Sequence, residues 1–134
     1  MIYALDTNIV SYMLKGDVDV IPKYRQALGT GNQIVIPPIV FYEVQRGLLA
    51  KKMDKRLAKF SALNEKVLQV DFDKPVWETA AQISASLHLQ GRSIEDADIF
   101  IAAYCILNDF TLVTNNMRHF ERIDGLKIEN WTQA

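Results

Sequence analysis

Cysteine is almost missing from this chain. Cys105 is the only one in 134 residues, so no internal disulfide can staple the fold, and its apolar surroundings mark it as a small buried hydrophobe. Long hydrophobic runs are missing too: nothing approaches the ~18 consecutive apolar residues of a membrane-spanning helix, and no basic segment precedes an apolar one near Met1. A cytoplasmic protein with no membrane span is expected. There is no excess of either charge. Fifteen Lys and Arg against sixteen Asp and Glu leave a net charge of -1, which offers no global attraction to a polyanion; binding nucleic acid would need a local basic patch or metal ions. Histidine is scarce. His88 and His119, with one cysteine, are too few for a zinc site and lack the spacing of a hydrolytic triad, so both are expected on the surface. Repeats, linkers and low-complexity tracts are absent.

What is present is an ordinary globular composition, 49% apolar and 23% charged, which argues against disorder. The length fits one domain over residues 1–134 with a core large enough to need no staples. Met1-Ile-Tyr-Ala-Leu reads as a short buried strand that stops at Asp6-Thr-Asn8. Asp6 has two readings, a cap for the next helix or a cation ligand beyond the end of a strand. A helix over 9–14 closes at Lys15-Gly16, and a second spans 20–28 before the turn Gly29-Thr-Gly31-Asn. Residues 33–36 form a second strand, and Pro37-Pro38 starts a helix that carries Glu43 in its second turn.

Lys51, Lys52, Lys55 and Arg56 lie in a basic amphipathic stretch with Leu57, Phe60 and Leu63 at helical spacing. A solvated helix face and a basic RNA-binding patch are both consistent with it. Residues 67–72 are expected as a third strand, followed by a helix over 75–89 whose apolar side is Ala80, Ala81, Ile83, Ala85 and Leu87. Ser93 with Asp96 resembles a capping box opening a helix that is apolar nearly all round after Asp98, as a buried central helix would be. A strand over 111–114 ends in Asn115-Asn116, a short helix carries His119 and Phe120, and 125–128 is a last edge strand. Trp77 and Trp131 are expected to pack.

Strands alternating with helices predict an α/β fold in three layers, a short, mostly parallel sheet with helices on both faces. Right-handed crossovers put the strand ends on one edge, where Asp6, Glu43, Asp98 and Asn116 can converge. Three carboxylates and an amide in one cleft would need a cation, and hard oxygen donors select Mg2+ or Mn2+, which can activate water against a phosphodiester. Asp96 stands about 200° round a helix from Asp98, so Asp98 is taken as the ligand and Asp96 as a capping or supporting residue. Glu95 is assigned to solvent.

The same residues carry a resemblance. Met1-Ile-Tyr-Ala-Leu-Asp6-Thr-Asn8, Glu43 with Gly47, Asp98-Ile-Phe-Ile-Ala-Ala103, and Leu112-Val-Thr-Asn-Asn116-Met-Arg-His-Phe120 with Gly125-Leu and Trp131 resemble the PIN-domain ribonucleases. Within them the match is nearest to the VapC toxins of toxin-antitoxin pairs, and it runs through the whole chain in order. The resemblance implies that Asp6 and Asp98 are the principal Mg2+ ligands, with Mn2+ able to substitute, that Glu43 is a third acid, and that Thr7, Asn8, Thr114 and Asn115 hold the carboxylates in place. Asn116 departs from the family, where many relatives have a fourth acid. It also implies RNA as substrate, including initiator tRNA among the relatives, a VapB-like antitoxin as partner, and a homodimer. Two other functions remain open at this point: a phosphatase or phosphoacceptor domain with Asp6 as nucleophile, and a catalytically dead binding module.

Overall fold

The computed structural model describes residues 1–132. Strand β1 (Ile2–Leu5) runs into helix α1 (Thr7–Leu14), followed by α2 (Val20–Gly29), β2 (Gln33–Val35), α3 (Pro38–Ala50) and α4 (Asp54–Lys66). Helices α5 (Lys74–Leu89) and α6 (Asp96–Asn108) then lead to β3 (Thr111–Val113), α7 (Met117–Phe120) and β4 (Lys127–Glu129). The strands form one sheet in the order β2-β1-β3-β4, and every pairing is parallel. The α/β fold expected from the alternation of strands and helices is therefore the one observed.

The chain steps from β1 out to β2, then back across β1 to β3. Right-handed crossovers in opposite directions carry their helices to opposite faces, and the reversal opens a crevice at the carboxyl end of β1. Buried on both sides, β1 and β3 are apolar almost throughout: Ala4, Leu5, Leu112 and Val113 are fully buried. Helix α6 is the central helix its sequence suggests, with Ile101 through Cys105 all buried.

Three expectations need correction. Residues 67–72 are not a strand; a single bridge from Val35 to Leu68 is all that joins them to the sheet. Some of their other polar groups are engaged elsewhere. The Gln69 amide donates to the carbonyls of Asn64 and Val67, and the Tyr104 hydroxyl donates to the Val70 carbonyl at 2.6 Å. Second, no capping box opens α6. Glu95 occupies the cap position in extended geometry without a side-chain hydrogen bond, and Ser93 lies exposed two residues earlier. Third, the inward side of α5 is Val76, Ala80 and Leu87 with Ile83 half-buried, while Ala81 and Ala85 are exposed. Small apolar residues on a helix are weak markers of its buried face; the stripe at 76, 80, 83 and 87 follows the helical repeat.

Trp131 is buried and packs edge-on against Tyr3. Trp77 packs on Phe72 and Phe100 yet stays half exposed. The ring of Tyr104 stacks parallel on Phe72 at 5.6 Å, so its hydroxyl and its face fasten the same extended segment to α6. Tyr104→Phe keeps the stack and removes the hydrogen bond. Urea unfolding is expected to show a loss of about 1 kcal/mol, with faster amide exchange confined to residues near Val70.

Candidate active site

Asp6 follows β1 directly and continues its pairing, since its amide donates to the Val113 carbonyl at 2.9 Å. It also caps α1. Its Oδ1 accepts from the Thr7 amide at 2.8 Å, and its carbonyl accepts from the Val10 amide. The capping role is thus real, but it uses only one carboxylate oxygen. Oδ2 accepts from the Thr114 hydroxyl at 2.7 Å, across the β1–β3 boundary where the strand order reverses. That hydroxyl in turn accepts from the Asn116 amide at 2.9 Å, so Thr114 shapes both the carboxylate and the turn that carries Asn116.

Glu43 comes to the same place from α3. The Thr7 hydroxyl donates to its Oε1 at 2.8 Å, joining the first turn of α1 to the second turn of α3. Asp98 stands in the first turn of α6, where unpaired amides and the helix dipole favour negative charge. Asn8 and Asn115 meet at 3.4 Å, and the Asn115 amide donates to the Tyr12 hydroxyl at 3.1 Å. They form the rim. Asp96 is exposed at the first position of α6 and makes no hydrogen bond among the described residues.

Asp6 is buried. Burial pushes its carboxyl above the usual carboxylate range, and the negative charges of Asp98 and Glu43 push the same way, against the lowering effect of the Thr114 and Thr7 hydrogen bonds. The field of this cluster extends inward: burial, with the Asp6 charge adding to it, raises the Cys105 thiol far above its ordinary value. Cys105 is therefore an inert core residue, as its apolar setting suggests.

His119 is the residue the sequence reading misplaced. Instead of standing alone at the surface, its Nδ1 lies 3.0 Å from Asp98 Oδ2 and 2.8 Å from Asn116 Nδ2. One turn of α7 brings it back over the strand end. Its position three residues after Asn116, in the first helical turn beyond a strand, was the available signal. His88 is exposed, as expected.

A cleft of about 240 Å³ begins at Thr7 and Glu43 and runs between α1, α3 and α4 to Lys15, Lys51 and Arg56. Of the basic stretch singled out earlier, Lys51 and Arg56 line this cleft, whereas Lys52 and Lys55 are exposed outside its lining. Lys15, which ends α1, was not foreseen. Its distance in sequence from the other basic residues hides it.

The donor chemistry fits a hard divalent cation. Asp6 and Asp98 supply carboxylate oxygens, and the charges of Asp98 and Glu43 both act on the Asp6 carboxyl. Among the described residues, no three acid, His or Cys side chains are already drawn close enough to share an ion, so binding would pull the acids inward.

Fold and site together define an α/β domain with an acidic crevice at the carboxyl edge of a parallel sheet. The chain belongs to the PIN domain family, whose match spans residues 3–126. Its relatives are named VapC: it is 33% identical to ribonuclease VapC2 of Rickettsia felis over 98% of both chains. It is 30% identical to the tRNA(fMet)-specific endonuclease VapC of Shigella flexneri, over 97% of this chain and 98% of that one. In structure it resembles the crystal structure of VapBC2 from Rickettsia felis bound to a promoter DNA fragment, with a TM-score of 0.88, 32% identity, and coverage of 98% of this chain and 99% of that one.

The raised Asp6 carboxyl has a consequence for stability. A carboxyl raised on folding favours the folded state at low pH, and that contribution is lost as pH rises from the ordinary carboxylate value through the folded one. In EDTA at neutral pH, Asp6→Asn is therefore expected to unfold later than the parent by roughly 0.5–2 kcal/mol. Thermal melts across the acidic range should show the parent's advantage at low pH shrinking in the variant.

Proposed function

We propose that this chain is a Mg2+-dependent endoribonuclease, the toxin of a toxin-antitoxin pair, which hydrolyses phosphodiester bonds of RNA in the cytoplasm. One observation carries this reading. The buried Asp6 carboxyl is held by Thr7 and Thr114 while feeling the charges of Asp98 and Glu43, in a chain whose relatives are named ribonucleases.

Asp6 and Asp98 would hold the ion, with Mn2+ as a substitute. When bound, such an ion polarises the scissile phosphate and lowers the pKa of a bound water. The chain's own groups do the rest. Thr7 and Thr114 fix the Asp6 oxygens, so little reorganisation accompanies binding. Glu43, anchored through one oxygen by Thr7, keeps the other for the attacking water and can accept its proton as the new phosphorus–oxygen bond forms. The bond to the leaving ribose oxygen then breaks, and that oxygen takes up a proton from solvent, while Glu43 returns the one it accepted to solvent. Asn116 contributes no charge, so the reading needs one ion rather than two.

Lys15, Lys51 and Arg56 in the adjoining cleft would carry the phosphates that flank the scissile bond, with Lys52 and Lys55 adding long-range attraction. The substrate proposed is a tRNA, the initiator tRNA first, because relatives of near-equal length in Shigella flexneri and Salmonella typhimurium are named tRNA(fMet)-specific endonucleases. The partner proposed is a VapB-like antitoxin, since the similar solved structures are VapBC complexes, and a homodimer is proposed as the working unit.

Asp6→Ala and Asp98→Asn are expected to abolish toxicity and RNA cleavage, each lowering the rate by at least 10²-fold, while circular dichroism shows the fold retained. Full metal-dependent cleavage by both variants would refute the assignment.

A further inference from the structure

The family resemblance implies that Asn8 and Asn115 hold the carboxylates, as Thr7 and Thr114 do. Among the described residues their side chains instead bond to each other and to Tyr12, and the bonds all run one way. The Asn115 amide donates to the Tyr12 hydroxyl at 3.1 Å. The Asn115 carbonyl accepts from the Asn8 amide at 3.4 Å, and Asn8 Oδ1 is left at the exposed end with no partner among the described residues. Tyr12 and Asn115 are half-buried, so the inner end of this relay is anchored and settles which atom of the Asn8 amide is turned outward. That atom is a neutral acceptor. Asn8 directly follows Thr7, which holds Glu43, and Asn115 directly follows Thr114, which holds Asp6.

The proposed reaction creates a need for such an atom. Water activated by a metal attacks phosphorus in ribose and deoxyribose strands alike, so a preference for RNA has to come from a contact with the 2′-hydroxyl, the group that distinguishes the two sugars. That hydroxyl is vicinal to the 3′ oxygen bonded to the scissile phosphorus and therefore lies at the edge of the metal site. A lysine or arginine there would be drawn to the acids, and another carboxylate would compete for the ion; an amide oxygen accepts a hydrogen without doing either. We infer that Asn8, through Oδ1, accepts the hydrogen of the 2′-hydroxyl beside the scissile phosphate, and that Asn115 and Tyr12 are positioning residues that keep this oxygen turned outward. The inference rests on the ribonuclease reading above and goes beyond it in naming the group by which the site tells RNA from DNA.

Asn8 is exposed, so Asn8→Ala should leave the fold intact, which circular dichroism checks. The cut made by the full chain with Mg2+ is first mapped on total cellular RNA, initiator tRNA first. The cut strand is then rebuilt with hydrogen or fluorine in place of the 2′-hydroxyl on the nucleotide whose 3′ oxygen joins the scissile phosphate. Fluorine keeps the ribose pucker but donates no hydrogen, so it separates the hydrogen bond from the shape of the strand. Single-turnover rates of the parent are expected to be about 5- to 10-fold lower on both substituted strands, and the rates on the three strands to converge in Asn8→Ala. Tyr12→Phe, which removes the acceptor for Asn115, should lose part of the discrimination; if it keeps all of it, the positioning role is overturned. Equal parental rates on the three strands, a ribose preference that survives in Asn8→Ala, or equal losses on all three strands in that variant would overturn the inference and leave the nuclease reading standing. So would complete loss of cleavage at the substituted nucleotide, which would make the 2′-hydroxyl the nucleophile. No metal-dependent cut anywhere in the RNA pool would overturn both.

Discussion

A hydrogen bond of 2.7 Å between the Thr114 hydroxyl and Asp6 Oδ2 ties the end of β3 to the end of β1, and the site depends on it. Asp6 is almost without solvent, and a buried carboxylate in apolar surroundings is costly unless its lone pairs are filled. Thr114 and the Thr7 amide fill one on each oxygen, which makes the burial tolerable without neutralising the charge. A carboxyl group fixed through both oxygens results, at the point in the sheet where the chain reverses its direction of winding. Both strands are so short that neither could move relative to the other without breaking the parallel register from Tyr3–Thr111 to Leu5–Val113.

The remaining acids arrive on helices. Thr7 in α1 grips Glu43 in the second turn of α3, and Asp98 stands in the first turn of α6. The starts of α1 and α6 offer unpaired amides that offset part of the charge of Asp6 and Asp98. The fold therefore assembles like charges by spreading their cost over three helices instead of placing a compensating lysine among them. A lysine there would lower the repulsion and remove the site's attraction for a cation.

Much of this was legible in the sequence because parallel strands buried on both faces leave a clear mark, a short apolar run ended by a polar residue. Asp6 was found that way and Glu43 by its helix starting at such a strand end, whereas the role of Thr114 came from the family resemblance. What failed has physical reasons as well. Residues 67–72 have the pattern of a strand, but Tyr104, over thirty positions away, takes the Val70 carbonyl, and no local pattern encodes that competition. Ser93 has the spacing of a cap, yet the chain stays extended through Glu95. The angular separation of Asp96 and Asp98 on a helix did anticipate that one is exposed and the other faces the cluster. His119 was misjudged because its surroundings come from α6 and the β3 end together, a meeting that only the folded chain displays. Lys15 was passed over as a mere helix end, although that end opens on the cleft.

On the proposed reading, charge also explains why the acidic crevice and the basic cleft adjoin. Three carboxylates and one divalent ion sum to about one negative charge, and an incoming phosphodiester brings another into a region of reduced dielectric, where like charges repel strongly. Neutral Asn116 keeps the balance from worsening. The remaining deficit is met by Lys15, Lys51 and Arg56, which line the cleft that starts at Thr7 and Glu43. Their distance from the carboxylates matters. In contact with Asp6 they would compete with the ion, whereas at the far end of the cleft they act on phosphates either side of the reacting one. Thr7 is the hinge of this arrangement: its amide donates to Asp6, its hydroxyl holds Glu43, and its side chain forms the boundary between the two fields.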